Sequence, residues 1–155
     1  MVAQHTTTLQ ALLVDDGFDG DVYCNESMAR HTSYHIGGPA KFFVRVHSLT
    51  SLGNLIEACR DEGMPWIVVG KGSNILVSDD GFAGVVISLD RDFKRFRFDE
   101  DRSCLVAGAG VSLSALVQEA FKHGLVGIEY LVGTPGTVGG ALRMNAGSRT
   151  EWIGS

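Results

Sequence analysis

Two glycine-rich segments hold the residue types best suited to chemistry in this sequence. Residues 70–76 read GKGSNIL and follow an apolar run. Successive amides in a glycine-containing turn can point inward as an anion-binding nest, and the Ser73 hydroxyl and Asn74 amide add donors. A diphosphate suits such a nest, so Gly70, Lys71, Gly72, Ser73, Asn74, Ile75 and Leu76 form the first candidate site. A tight strand-to-strand turn is the other reading of these residues. Residues 133–147 read GTPGTVGGALRMNAG, where Pro135 fixes a turn and five glycines let backbone lie flat against a planar ligand. Ordering so many glycines costs chain entropy, which favours a functional reason for them. Gly133, Thr134, Pro135, Gly136, Thr137, Gly139, Gly140, Asn145, Ala146 and Gly147 are therefore the second candidate site. A helix start packed closely on a sheet, with Gly139 and Gly140 at the contact, is compatible with that reading. Arg143 and Asn145 can meet a phosphate or the polar edge of a ring system, although a solvated surface role suits Arg143 equally well.

Several chemistries are disfavoured. Lys71 is followed by Gly72 and then by apolar residues, which is not the phosphate-wrapping pattern of Gly, four residues, Gly-Lys-Ser/Thr. Gly108 and Gly110 begin a dinucleotide fingerprint, but Leu113 stands where its third glycine belongs. His5, His31, His35, His47 and His123 show no metal-ligand spacing, and no acid–base pair stands out, so neither a metal nor a catalytic residue is assigned.

The elements that must position these segments follow from periodicity. Thr6 to Asp16 puts Leu9, Leu12 and Leu13 on one helical face as a weakly anchored lead-in, and the polar stretch from Gly17 to Met28 reads as a loop. Ala40 to Val46 is a strand after a turn at Gly37, Gly38 and Pro39. A helix spans Ser48 to Glu62, capped by Ser48 and ended by Gly63 and Pro65. Trp66 to Val69, wholly apolar, suits a strand inside a sheet, and Val85 to Leu89 is another. Phe96 and Phe98 alternate with Arg95 and Arg97 in a half-buried strand, which turns through Asp99, Glu100 and Asp101 into Cys104 to Ala107. Ser112 caps a second helix that Gly124 stops. This order predicts two small α+β lobes meeting near Leu89 to Phe96, with a cofactor cleft between them.

Composition narrows the class. With 45% hydrophobic and 20% charged residues the chain is globular, and a net charge of −5 makes nucleic acid an unsuitable partner, so any bound phosphate must be held by a local donor cluster. Cys24, Cys59 and Cys104 are odd in number and widely spaced, which fits a reducing compartment better than a disulfide framework. Met1 to Thr8 lack the basic start and apolar core of a leader, and no apolar run approaches the roughly 20 residues of a membrane span, so a cytoplasmic location without membrane contact is expected.

Four blocks, HTSYHIGGPAKFFV at residues 31–44, GKGSNIL at 70–76, VAGAGVSLSALVQEA at 106–120 and GIEYLVGTPGTVGGALRMNAG at 127–147, resemble in order and spacing the flavin domain of the UDP-N-acetylenolpyruvoylglucosamine reductase family. The resemblance implies an α+β, two-lobed FAD-binding domain of the vanillyl-alcohol oxidase and p-cresol methylhydroxylase type, with an incomplete second lobe. It implies a lead-in at 1–30, a first lobe at 31–92, a second lobe at 93–155 and no substrate domain. It places the diphosphate of FAD at Gly70 to Leu76 and further flavin and adenine contacts at Gly108, Ala109 and Gly110 and at Gly133 to Gly147. It also implies NADPH and a UDP-sugar as reaction partners, with product used in peptidoglycan synthesis. The family's catalytic arginine, its serine or cysteine proton donor and its glutamate would fall beyond Ser155, so the 155 residues alone are expected to be inactive and to hold FAD weakly. Two positions depart from the family pattern: Ser148, Arg149 and Thr150 replace a usual Ala-Tyr-Gly, and Thr134 replaces an isoleucine before Pro135. Another flavoprotein of the same fold group, or a module without cofactor, are the alternatives.

Overall fold

The structure is a computed structural model that describes residues 8–154; the expected helix start at Thr6 and the leader reading of Met1 to Thr8 fall wholly or mostly outside them. The elements in chain order are α1 (Thr8–Leu13), β1 (Gly20–Ser27), β2 (Pro39–Val46), α2 (Leu49–Asp61), β3 (Trp66–Val69), β4 (Phe82–Leu89), β5 (Phe96–Asp99), β6 (Cys104–Ala107), α3 (Leu113–Lys122) and α4 (Val138–Met144).

The first unit is a four-stranded sheet in the order β1-β2-β4-β3. Strands β2, β4 and β3 run parallel and β1 lies antiparallel on the outer edge of β2. Alternation along the strands sorts its residues between two layers. Phe42, Val44, Val46, Val85 and Ile87 face the helices, where they pack with Leu9, Leu13, Leu55, Ala58 and Cys59. Phe43, Val69 and Val86 face the other way and pack with Met28 and Ala40. Burial also pushes the Cys59 thiol up from its ordinary pKa, with Glu62 adding to the effect.

Three expectations are corrected here. The stretch from Gly17 to Met28 is not a loop: its polar residues form β1, whose register pairs Val22 with Val44 and Glu26 with Ala40. An edge strand needs no apolar alternation when only part of one face is covered, which is why its pattern does not announce it. The lead-in is also firmly anchored, because Leu9 is fully buried and its amide donates to Glu62 Oε1 at 2.6 Å. The third correction concerns β3. Its four apolar residues suggested an interior strand, yet β3 is the sheet's other edge, with Trp66, Ile67 and Val68 partly exposed.

Helix α2 forms where capping and periodicity agree. Ser48 Oγ accepts the Ser51 amide at 3.3 Å, and the chain leaves the helix through Gly63 at φ +59°. Ser48→Ala is expected to cost about 1 kcal/mol. Urea unfolding checks it, and an unchanged midpoint would show that Ser48 does not act as the cap.

The second unit joins the β5–β6 hairpin to α3 and α4 around Leu113, Val117, Leu131 and Ala141. The hairpin turn is tied by the Asp99 carboxylate accepting the Arg102 amide at 3.2 Å. Helix α4, read from the sequence only as a helix start with Gly139 and Gly140 at its contact, is capped at Thr137 and ends at Asn145 in the left-handed conformation. A short 3-10 turn, Arg91–Lys94, links the units. The amides of Gly108 and Gly110 donate to Arg95 O at 2.9 Å and Phe93 O at 2.8 Å, so the second unit is braced against this link rather than hung from it.

Candidate functional site

The two glycine-rich segments, far apart in sequence, meet in space. The Ser73 hydroxyl donates to Pro135 O at 3.3 Å across 62 positions of sequence. Beside this contact, a Cβ added to Gly70 would lie 2.6 Å from Thr137 Oγ1. That oxygen is already committed as the cap of α4, accepting the Gly140 amide at 3.2 Å, and Thr137 is buried. The close approach of the two units therefore requires glycine at position 70.

Between the units lies a cleft of about 1430 Å³. Gly70 to Ile75 and Ala109 and Gly110 line it, as do Thr134, Pro135, Gly136, Thr137, Gly139, Gly140, Ala146 and Gly147. Four expected site residues lie outside this lining. Leu76 is 73% exposed beyond it. Gly108 is explained by packing, since a Cβ there would sit 2.3 Å from Phe93 O. Gly133, at φ +79°, serves the turn. Asn145 caps α4 and spends its side-chain oxygen on the Gly154 amide at 3.1 Å. Gly139 lines the cleft and also touches Ala109, with its amide on Ala109 O at 2.9 Å, so here the close-packing and site readings coincide.

The nest is held from behind by residues 31–36. The Ser33 amide donates to Gly72 O at 3.0 Å, and the Thr32 hydroxyl donates to Ile36 O at 2.8 Å. Gly72 has φ +67°, and any Cβ there would collide with His31 O. His31 is itself fixed, stacked on Phe43 at 3.8 Å between ring centroids and 3.0 Å from Glu26 Oε1. The His31 hydrogen bond holds the Glu26 carboxyl below its ordinary pKa, outweighing the opposing effect of desolvation. Among the described residues, the amides of Gly72, Ser73 and Asn74 donate to no backbone carbonyl, which leaves them for a ligand.

Sequence reasoning missed most of the wall facing the nest. Trp66, Ile67 and Val68 of β3 and Phe96 of β5 give the cleft an apolar side. The signal was present, as an apolar run immediately before the nest, but a buried strand accounts for such a run equally well. The electrostatics are one-signed: the lining carries Lys71, Lys94 and Arg143 and no Asp, Glu or His, in a chain whose net charge is −5. Lys94 is anchored to Asp90 at 2.9 Å. Burial alone would raise the Asp90 carboxyl, but Lys94 and the Arg91 amide outweigh it and hold it below its ordinary pKa. Among the described residues there is no metal-binding cluster.

Residues 40–155 match the model of the FAD binding domain family. The chain belongs to the FAD binding domain family. The residues present fit the cofactor that this family is named for. Free nest amides and a cation-bearing lining without carboxylates suit a diphosphate, and an apolar wall with glycine backbone suits a flat ring system. The chain is 47% identical over 131 residues to the UDP-N-acetylenolpyruvoylglucosamine reductase of Heliobacterium modesticaldum, covering 84% of this chain and 41% of that one. The crystal structure of UDP-N-acetylenolpyruvylglucosamine reductase (MurB) from Thermus caldophilus superposes with a TM-score of 0.69 at 35% identity, over 87% of this chain and 45% of that chain. CrmK, a flavoenzyme, shares the fold at a TM-score of 0.52 and 17% identity, over 67% of this chain and 22% of its own. The fold is thus the α+β FAD-binding type of the vanillyl-alcohol oxidase and p-cresol methylhydroxylase group. The chain spans less than half the length of the reductases it matches.

Proposed function

We propose that this chain is the FAD-holding part of a UDP-N-acetylenolpyruvoylglucosamine reductase, an enzyme that uses NADPH to reduce the enolpyruvyl group of a UDP-sugar to UDP-N-acetylmuramate for peptidoglycan synthesis in the cytoplasm. One observation carries the reading: the two glycine-rich segments converge on a single cation-bearing, carboxylate-free cleft, in a chain 47% identical to such a reductase. Among the described residues no helix is long and apolar enough to cross a membrane, in keeping with that setting.

FAD, when bound, supplies the hydride relay between NADPH and the substrate double bond. The chain's own residues bind and orient it. The amides of Gly72, Ser73 and Asn74 hold the diphosphate, with Lys71 adjacent. Trp66, Ile67, Val68 and Phe96 exclude water from one side, which strengthens the polar contacts on the other. Gly70 against Thr137 sets the spacing of the two walls. Gly108, Asn145 and Gly147 support the backbone around the site, and a Cβ at Gly147 would meet Glu151 O at 2.1 Å. We assign substrate recognition and proton delivery to the part of the reductases that this chain does not span.

The test is a thermal melt of the purified chain with increasing FAD, alongside its absorbance spectrum. Ligand at ten times its Kd stabilises by about 1.4 kcal/mol through mass action, a rise of roughly 3–6 °C for a domain of this size. A melting temperature unmoved by millimolar FAD, with no flavin absorbance carried through purification, would refute the assignment for this chain.

A further inference from the structure

A second concavity, of about 720 Å³, opens beside the cleft and shares Gly70, Lys71, Ser88 and Lys94 with it. It lies at the carboxyl ends of the parallel strands β2, β4 and β3. The register places Arg45 opposite Ser88, and Ser88 opposite Val69, so one row runs across the sheet from Arg45 to the start of the nest. Ligands of sheets with parallel strands gather outside such ends, where no further strand residue competes for the space.

The charges around it do not cancel. Arg30, Arg45, Lys71 and Lys94 line the concavity against one carboxylate, Asp90. Lys94 is paired with Asp90 at 2.9 Å, and Arg30 lies 3.5 Å from Glu26. Among the described residues the other two cations have no such partner. Arg45 lies over the Tyr23 ring, 5.5 Å from its centroid. Asp21 stands opposite Arg45 in the register, but its carboxylate lies 3.4 Å from His47 Nε2. Among the described residues Lys71 has no ion pair at all. Two unneutralised cations in one concavity, in an acidic chain, call for an anion.

We propose that this concavity is a second anion site, which takes a phosphate-bearing ligand of the diphosphate class on Arg45 and Lys71 while a flavin nucleotide occupies the cleft. The same chemistry is offered by a separate phosphorylated ligand and by the diphosphate of the cleft nucleotide itself, and the experiment separates them. Inorganic pyrophosphate is titrated calorimetrically into the purified chain at low ionic strength, alone and after saturation with FAD. Two pyrophosphate sites are expected in the free chain, the nest and this concavity, and one after FAD has filled the nest, with the remaining affinity lowered no more than about threefold although Lys71 borders both. Arg45→Gln is expected to weaken pyrophosphate roughly tenfold and Arg45→Lys to recover part of the loss, since charge alone restores part of a guanidinium contact. The FAD-induced melting shift stays as in the parent for both variants, because Arg45 does not line the cleft. Arg30→Gln, on a side chain 73% exposed, provides a second variant that leaves the packing intact and is expected to weaken pyrophosphate in the same direction. Loss of all pyrophosphate binding on FAD saturation would overturn the proposal by making this space the rim of the cleft. Unaltered pyrophosphate affinity in both Arg45→Gln and Arg30→Gln would overturn it too. A chain that binds pyrophosphate but not FAD would fail the flavin assignment while leaving this one standing.

Discussion

Gly72→Ala is expected to cost about 2–5 kcal/mol of folding stability and to abolish the FAD-dependent rise in melting temperature. Two effects add. Gly72 sits at φ +67°, a left-handed conformation that costs an L residue about 1–2 kcal/mol. In addition, the new Cβ would be placed 1.9 Å from His31 O and 2.8 Å from Thr32 Cα, backbone atoms that cannot swing aside as a side-chain tip does. Relief requires the 31–36 segment or the nest to move, at an overpacking cost of about 1–3 kcal/mol. Either movement breaks the bond from the Ser33 amide to Gly72 O and displaces the amides of Gly72, Ser73 and Asn74 that are left for a ligand. Urea unfolding reads the first effect and FAD melts read the second. A variant that loses less than about 1 kcal/mol and keeps its flavin shift would show that the nest tolerates a side chain there.

The clamp behind Gly72 was only half legible in the sequence. GKGSNIL marks a nest through its own residue types, because glycine spacing and hydroxyl and amide donors are local properties. What holds it, the run from His31 to Ile36, carries no such mark: Thr32 and Ser33 act through hydrogen bonds whose partners are fixed by the tertiary fold. The same division runs through the fold. Helices α2 and α3 were readable because Ser48 and Ser112 cap them and Gly63 and Gly124 end them within a few residues of the apolar stripe. Strand β1 was hidden, since its place depends on pairing with β2 and its exposed polar residues follow no period of two. Strand β3 was found but misplaced. A run of Trp, Ile, Val and Val reads equally well as a strand buried in a sheet and as the apolar wall of a cleft, and only the strand order decides.

The glycines of 133–147 divide in a similar way, which bears on how the site is assembled. Gly139 and Gly147 are glycine because neighbouring backbone or side chain occupies the space of a Cβ, whereas Gly133 and Gly136 need positive φ in a turn with room around it. Glycine density alone therefore could not rank these positions by closeness to a ligand. The residue that organises them is Thr137, which caps α4, forms an isolated bridge with Ser112 and meets Gly70 of the other unit. One threonine thus ties a helix start, a strand end and the nest together.

That junction gives the second large expected effect, best read as a cycle. Gly70→Ala places a Cβ 2.6 Å from Thr137 Oγ1 and 3.2 Å from its Cγ2, so the walls of the cleft must separate or the cap must break. The expected loss is about 1–3 kcal/mol in stability, with at least a roughly tenfold fall in FAD affinity as the nest shifts from the opposing wall. Thr137→Ala alone removes the cap of α4 and costs about 1 kcal/mol. It also removes both atoms that a Cβ at position 70 would crowd, leaving only the Thr137 Cβ at an ordinary 3.5 Å. In the double variant the penalty for Gly70→Ala is therefore expected to fall by at least half, a coupling of about 0.5–3 kcal/mol in the favourable direction. Four urea unfolding curves measure it. If the two substitutions simply add, Gly70 and Thr137 do not share a contact in solution, and the two units must be held at the cleft by something other than this pair.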